Sequence, residues 1–232
     1  MRKISFQLSA AACAMALASQ AHALNVSFSG FAHGAESVTI TLASPNVALT
    51  ESASAGGFLT SVNGGPSFES YCTDVYQSIS FGDPAYTDYT QTNAAHVFAN
   101  SHAYADLGKL YATAGAITNS VHEAAFQIDV WEISYETTGS YNLGSGSASF
   151  ASGSAASSGA LTLAASWLSS LSASGPAIGV LDSRTHQDVI YAPVPEPSTV
   201  LLMVMGLLGI ATVARRRGMF DIGLLRGPLS GV

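Results

Sequence analysis

Thr199–Ala214 carries no charged residue and is closed by Arg215-Arg216-Arg217. That pattern limits the chain more than any other. Sixteen mostly apolar residues fall short of the ~20 that cross a bilayer comfortably, but snorkelling arginines and a thin membrane close the gap. The spacing predicts a transmembrane segment over 199–214, with the arginines of 215–217 cytoplasmic and everything before them on the far side. The other end agrees. Arg2 and Lys3 precede an apolar stretch around Ala10–Ala18, and Ala21-His22-Ala23 is a small-x-small cleavage site. This is the order of a secretory signal peptide over residues 1–23, with a mature chain starting at Leu24.

With the ends set aside, the charge distribution becomes informative. Of the 8 Lys plus Arg in 232 residues, only Lys109 and Arg184 lie in the body, whereas every acid but Glu196 and Asp221 lies there. So acidic a body has no basic footprint for phosphate backbones, which excludes nucleic acid as a partner. Only 10% of the residues are charged, far below the usual quarter for a soluble cytosolic domain.

Between the body and the apolar run stands Val194-Pro195-Glu196-Pro197-Ser198. Pro195, Glu196 and Pro197, a short helix and the cluster Arg215, Arg216, Arg217 resemble a PEP-CTERM sorting signal over 193–217. The resemblance implies export across the inner membrane of a Gram-negative bacterium and transient membrane anchoring. It further implies C-terminal processing by an exosortase-type enzyme, with delivery to the cell envelope, outer surface or extracellular matrix. The chain departs from such signals by continuing through an atypical tail, 218–232.

The body over 24–192 begins β-rich. Val38, Ile40 and Leu42 alternate with polar residues, and Val26 and Phe28 do the same after Leu24. Gly30 with Gly34, Gly56-Gly57 and Asn63-Gly64-Gly65-Pro66 punctuate turns. Phe68–Ile79 reads as a further extended segment, with Cys72, Asp74 and Tyr76 on one face and Tyr71 and Val75 on the other. Helical signals run irregularly from Thr92 to Ala114, with Gly115 as C-cap. Ser120-Val121-His122-Glu123 has the form of a capping box, followed by a stripe of Val121, Ala124, Ala125, Ile128 and Trp131. The stretch 139–160, mostly Ser, Gly and Ala, reads as a flexible insert. Leu161–Leu171 is a second helix, stopped by Gly175-Pro176, and Asp188–Tyr191 a last strand. The expected fold class is α+β, a β-rich N-terminal part with a few helices.

Cysteine usage supplies the chemical clue. Cys13 leaves with the signal peptide, so the exported chain carries one thiol, Cys72. A single thiol in an oxidising compartment has four explanations: inert packing, an intermolecular disulfide, a catalytic nucleophile, or a covalent bond to something other than sulfur. Around it stands Tyr71-Cys72-Thr73-Asp74, and downstream Phe126-Gln127-Ile128-Asp129-Val130-Trp131. This pair resembles the signature of bacterial thioester domains, an aromatic-Cys-x-Asp element on a strand and a Gln followed four residues later by Trp on a helix. The resemblance implies a thioester-domain-like fold and an internal bond between the Cys72 sulfur and the Gln127 side-chain carbonyl, with release of ammonia. It also implies supporting roles for Tyr71, Asp74, Asp129 and Trp131. Asp129 departs from the small residue usual there. Gln127 and Trp131, four apart, share a helix face, so the indole can shield such a bond from water. Tyr71 points across the pleat, and Asp74 can take or return a proton.

Other chemistries fit less well. His96, His102 and His122 can each be paired with Cys72, but no local nucleophile signature surrounds the thiol. His122-Glu123 opens like a zinc-protease helix, yet Phe126 stands where the second His belongs. Asp83 and Asp88 lack EF-hand spacing. No cofactor and no metal are expected, and no enzymatic turnover. The sequence thus leads to a surface protein that attaches through Cys72 and Gln127 to protein amines or polysaccharide hydroxyls, in adhesion or a biofilm matrix. The alternative is a non-reactive structural protein of the exopolysaccharide with Cys72 as a packing thiol.

Overall fold

The computed structural model describes residues 23–44, 46–82, 84–92 and 97–192. The leader expected over 1–23 (all but its last residue), Asp83, His96, the sorting segment and the tail 218–232 lie outside the described residues. Among the described residues, nine strands and three helices follow in order: β1 (Leu24–Phe31), β2 (Glu36–Leu42), β3 (Leu49–Ala55), β4 (Phe58–Val62), β5 (Phe68–Cys72), β6 (Tyr86–Thr92), α1 (Ala103–Ala114), α2 (Ser120–Tyr135), β7 (Ala148–Ser152), α3 (Ala155–Ser169), β8 (Gly179–Asp182) and β9 (Val189–Tyr191). Strands and helices are mixed, and the body is sheet-rich.

Six strands close into a barrel in the order β1-β4-β5-β9-β8-β6, and β3-β2-β7 form a second sheet. Although β1 and β2 are neighbours in sequence, they belong to different sheets, and Gly34 at φ 98° turns the chain between them. The β4–β5 connection shows local chemistry making a turn. Asn63 and Gly64 both take positive φ, 52° and 70°, and Gly65 N–H donates to Val62 O at 2.9 Å. That is the two-residue hairpin turn an Asn-Gly pair favours. The ladder pairs Phe58 with Ser70 and Thr60 with Phe68, one residue further along β5 than a strict two-residue hairpin closing Val62 on Gly65 would give, so the β5 side carries one extra residue after the turn.

The alternation of β2 faces as expected, with Val38, Ile40 and Leu42 buried. They join Ala124, Ala125, Ile128 and Trp131 of α2 and Ala160 and Ala164 of α3 in one core. A second core gathers Leu107 and Leu110 of α1, Phe126, Val130 and Ile133 of α2, and Val180 and Ile190 of the barrel. Because α2 lies between the two cores, every residue from Glu123 to Tyr135 is buried. The single apolar stripe expected from Val121 to Trp131 is therefore only half of its packing surface. A helix covered on all sides shows little amphipathic periodicity.

Four expectations are corrected. The strand at Cys72 ends there, so the extended segment to Ile79 is replaced by a turn at Val75–Gln77, and Asp74 shares no strand face with Cys72. The N-cap of α2 is Asn119, whose side chain accepts from Val121 N and His122 N, while Ser120 Oγ donates to Glu36 at 2.6 Å. Asn is as good a cap as Ser, so the motif reads correctly one residue late. The stretch 139–160 holds β7, paired to β2 from Val38↔Ser152 to Leu42↔Ala148, and the first turns of α3. Small residues there suit an edge strand against a packed sheet as well as a linker. The helix placed over 161–171 starts earlier, at Ala155, behind a capping box between Ser154 and Ser157.

Candidate functional site

Cys72 is the last residue of β5, and its position follows from where β4 begins. The β4–β5 ladder reaches Phe58↔Ser70 and stops, because Gly56-Gly57 precede Phe58. On its other edge Cys72 pairs with Val189 of β9. Its backbone would therefore lack partners on the β4 side. Gln127 supplies them: Cys72 N–H donates to Gln127 Oε1 at 3.0 Å, and Gln127 Nε2–H donates to Cys72 O at 2.8 Å. One carboxamide thus mimics a peptide group of a missing strand, satisfying two buried groups that would otherwise be costly. Both residues are buried, Gln127 completely. The acyl carbon of Gln127 is in this way fixed beside the residue that bears the thiol.

The sulfur itself donates to Asp74 O at 3.1 Å. Burial pushes the thiol pKa up to about 12. Hydrogen bonding from the Trp131 indole and from the Asp74 backbone favours the thiolate, while the Asp74 and Asp188 carboxylates oppose it. Trp131 N–H is buried and has no partner of normal hydrogen-bond geometry among the described residues, so its help to the sulfur is weak. The Trp131 ring stacks on Phe150 of β7 at 6.5 Å, with 8° between planes. Cys72 and Trp131 together border a hollow of about 670 Å³, whose wall also includes Phe31, Phe58, Phe81 and Tyr76. Cys72 thus borders an aromatic-lined opening, and Gln127 does not.

The remaining expected residues separate. Tyr71 lies across the pleat in the second core, with its ring 4.4 Å from that of Phe126. Asp74 meets the thiol through its carbonyl, and its carboxylate accepts from Tyr76 N–H at 2.9 Å. Burial raises the Asp74 pKa. Asp129 is fully buried, neither of its oxygens has a hydrogen-bond partner among the described residues, and burial beside Glu132 holds its pKa well above the carboxylate range. His102 precedes α1, and the His122 ring lies 6.1 Å from Trp167, so neither borders the Cys72 hollow. Asp88 accepts from Ser183 and Thr185 and contacts His186 Nδ1 at 3.1 Å.

One cluster has no counterpart in the sequence reading. His33 Nδ1 lies 2.7 Å from Glu123 Oε1, and Tyr71 OH donates to Glu123 Oε2 at 2.9 Å or to Glu69. A hydroxyl has one proton, so the two carboxylates compete for it. Burial first, and then Glu123, raise the Glu69 pKa to about 7. Only one signal was available: Glu123 stands one helical turn before Gln127.

Residues 193–217 match the PEP-CTERM protein-sorting motif. The motif marks an exported chain, sorted to the cell envelope and processed by exosortase. No curated protein and no solved structure matches the chain.

Proposed function

We propose that this exosortase-sorted protein attaches covalently to its target through a thioester between Cys72 and Gln127. The observation that carries the reading is the double hydrogen bond by which the Gln127 carboxamide holds the Cys72 backbone, beside an aromatic-lined opening. Formation joins the Cys72 sulfur to the Gln127 side-chain carbon, and the amide nitrogen leaves as ammonia with the thiol proton. Fixing the two groups in contact supplies the effective molarity that an unactivated amide needs. Burial with Trp131 keeps water from the acyl sulfur bond. An amine or hydroxyl entering the hollow then attacks the acyl carbon, giving an amide or ester cross-link and releasing Cys72 as a thiol. The event occurs once per molecule, as in adhesion or matrix retention at the outer surface, with protein amines or extracellular polysaccharide as targets.

The competing reading uses the same bonds. A Gln that completes a strand edge is sufficient reason for its position, and Cys72 is then a packing thiol in a non-reactive surface protein. The intact mass of the exported protein separates the two. A thioester removes the mass of one ammonia, and methylamine adds across it; Cys72→Ala and Gln127→Ala each abolish the adduct, and the double variant is no worse than either. An unchanged mass without methylamine capture withdraws the covalent mechanism.

A further inference from the structure

The cluster at His33, Glu69 and Glu123 lies on the opposite face of β5 from the Cys72 sulfur, and nothing in the thioester reading uses it. Three elements contribute: the β1–β2 connection, β5 and the first turn of α2. One nitrogen or oxygen from each residue lies within 4.8 Å of the others. Glu123 is fully buried, and Glu69 is half-buried. Two carboxylates so close in a protein interior need either a retained proton or a countercharge. Lys109 pairs with Asp106 at 2.7 Å, and Arg184 is the only other Lys or Arg among the described residues. Among the described residues, His33 is the one basic side chain that bonds either carboxylate.

The surroundings are shaped for these oxygens. Gly57 N–H donates to Glu123 Oε2 at 2.9 Å, and a Cβ at Gly57 would come within 2.5 Å of that oxygen. Only glycine lets the backbone approach this far, and its N–H fixes the carboxylate from behind as outer partners of metal ligands do. Tyr71 OH bonds the same oxygen from a second side. The His33 side chain is 42% exposed, which leaves an entry path and lets the imidazole shift. A tetrahedral ion with bonds of 2.0–2.1 Å sets its ligand atoms about 3.3 Å apart, so the His33–Glu123 contact has to open by roughly half an ångström.

We infer that His33, Glu69 and Glu123 bind a first-row divalent cation of the Zn²⁺ class. An imidazole nitrogen with two carboxylates suits Zn²⁺ or Mn²⁺, whereas Ca²⁺ takes oxygen ligands alone. Tyr71 OH or water completes the coordination. The ion clips the β1–β2 connection and β5 onto α2, so the strand of Cys72 and the helix of Gln127 are tied together whether or not those two residues are joined.

The test is metal analysis of the full chain after equilibration with ZnSO₄ and dialysis, with CaCl₂ as comparison. The expected result is one Zn²⁺ per chain and no retained Ca²⁺. His33→Gln and Glu69→Gln, each checked for native circular dichroism, weaken Zn²⁺ binding at least ~10-fold. His102→Gln and Cys72→Ala retain it, which separates the site from surface histidines and from the thiol. Chelation lowers the wild-type unfolding midpoint and leaves that of His33→Gln unmoved. Absence of stoichiometric Zn²⁺, or undiminished binding in both His33→Gln and Glu69→Gln, overturns the assignment.

Discussion

At the residue scale, the fate of the site turns on two buried side chains with opposite hydrogen-bond accounts. Gln127 uses both ends of its amide on Cys72, so removing it strands two backbone groups as well as the acyl carbon. Loss of stability in Gln127→Ala is therefore expected in either functional reading, and only the mass measurement separates them. Asp129 satisfies neither oxygen. A buried polar group without partners costs about 1–3 kcal/mol, which the loss of a few packing contacts only partly offsets in Asp129→Ala. That variant should unfold ~1 kcal/mol later at pH 7 and keep or increase methylamine capture. A large destabilisation would show that Asp129 has a partner after all. The thiol gives a parallel readout. With its pKa near 12, free Cys72 is protonated and sheltered, so alkylation of a packing thiol follows unfolding. A bonded Cys72 instead becomes alkylatable when methylamine is added under native conditions.

At the scale of elements, α2 decides most of the stability because both cores close on it. Trp131, 3% exposed and stacked on Phe150, fills space between α2 and β7. Trp131→Ala should cost ~3–5 kcal/mol, measured by denaturant midpoint in a Trp167→Phe background so that one indole reports. A midpoint like wild type would show that the α2–β7 contact carries no weight. Asn119→Ala removes the side-chain acceptor of two helix N–H groups and should cost ~1 kcal/mol. Ser120→Ala instead tests the Glu36 contact, and its effect should be smaller, since both ends of that bond are only half-buried and the Glu36 carboxylate can turn to water. The order of the two effects distinguishes the observed cap from the capping box expected one residue later.

At the scale of the whole molecule, an acidic body with few cations has buried several carboxylates that prefer to be neutral. Burial raises Asp188, beside Asp182 and Asp74, and Glu132, beside Glu136, to about 7. A folded state that holds protons the unfolded chain has released is stabilised at low pH. The contribution is full below about pH 4 and is lost as pH rises to about 7. Asp88 and Glu136 shift the other way, through hydrogen bonds to their charged forms, and act only in the acid range. The thermal midpoint should therefore fall between pH 5 and pH 8, and a rise over that interval would contradict the burial of these groups. Export belongs to this scale too. The extracellular form is expected to begin at Leu24 and to lack Thr199 onward, and peptide mapping that finds Arg215–Arg217 outside the cell would refute C-terminal processing.

Short-range physics was legible in the sequence, and long-range pairing was not. Alternation at Val38, Ile40 and Leu42, the Asn63-Gly64 turn and the Gly115 helix stop are settled within a few residues, because a pleat, a positive φ or a cap needs only neighbours. The sorting motif is likewise a linear pattern read by another protein. Cys72 and Gln127 were paired by resemblance alone, and folding brings them together, because the β4 ladder ends at Phe58 and leaves the Cys72 backbone for Gln127 to satisfy. β7, mostly Ser and Ala, gave no strand signal, since its partner β2 lies over a hundred residues upstream and supplies the reason to be extended. Tertiary burial on both sides hid the true packing of α2 behind a weak period. It also assembled His33, Glu69 and Glu123, which no spacing connects, since their meeting depends on three elements converging behind Gly57.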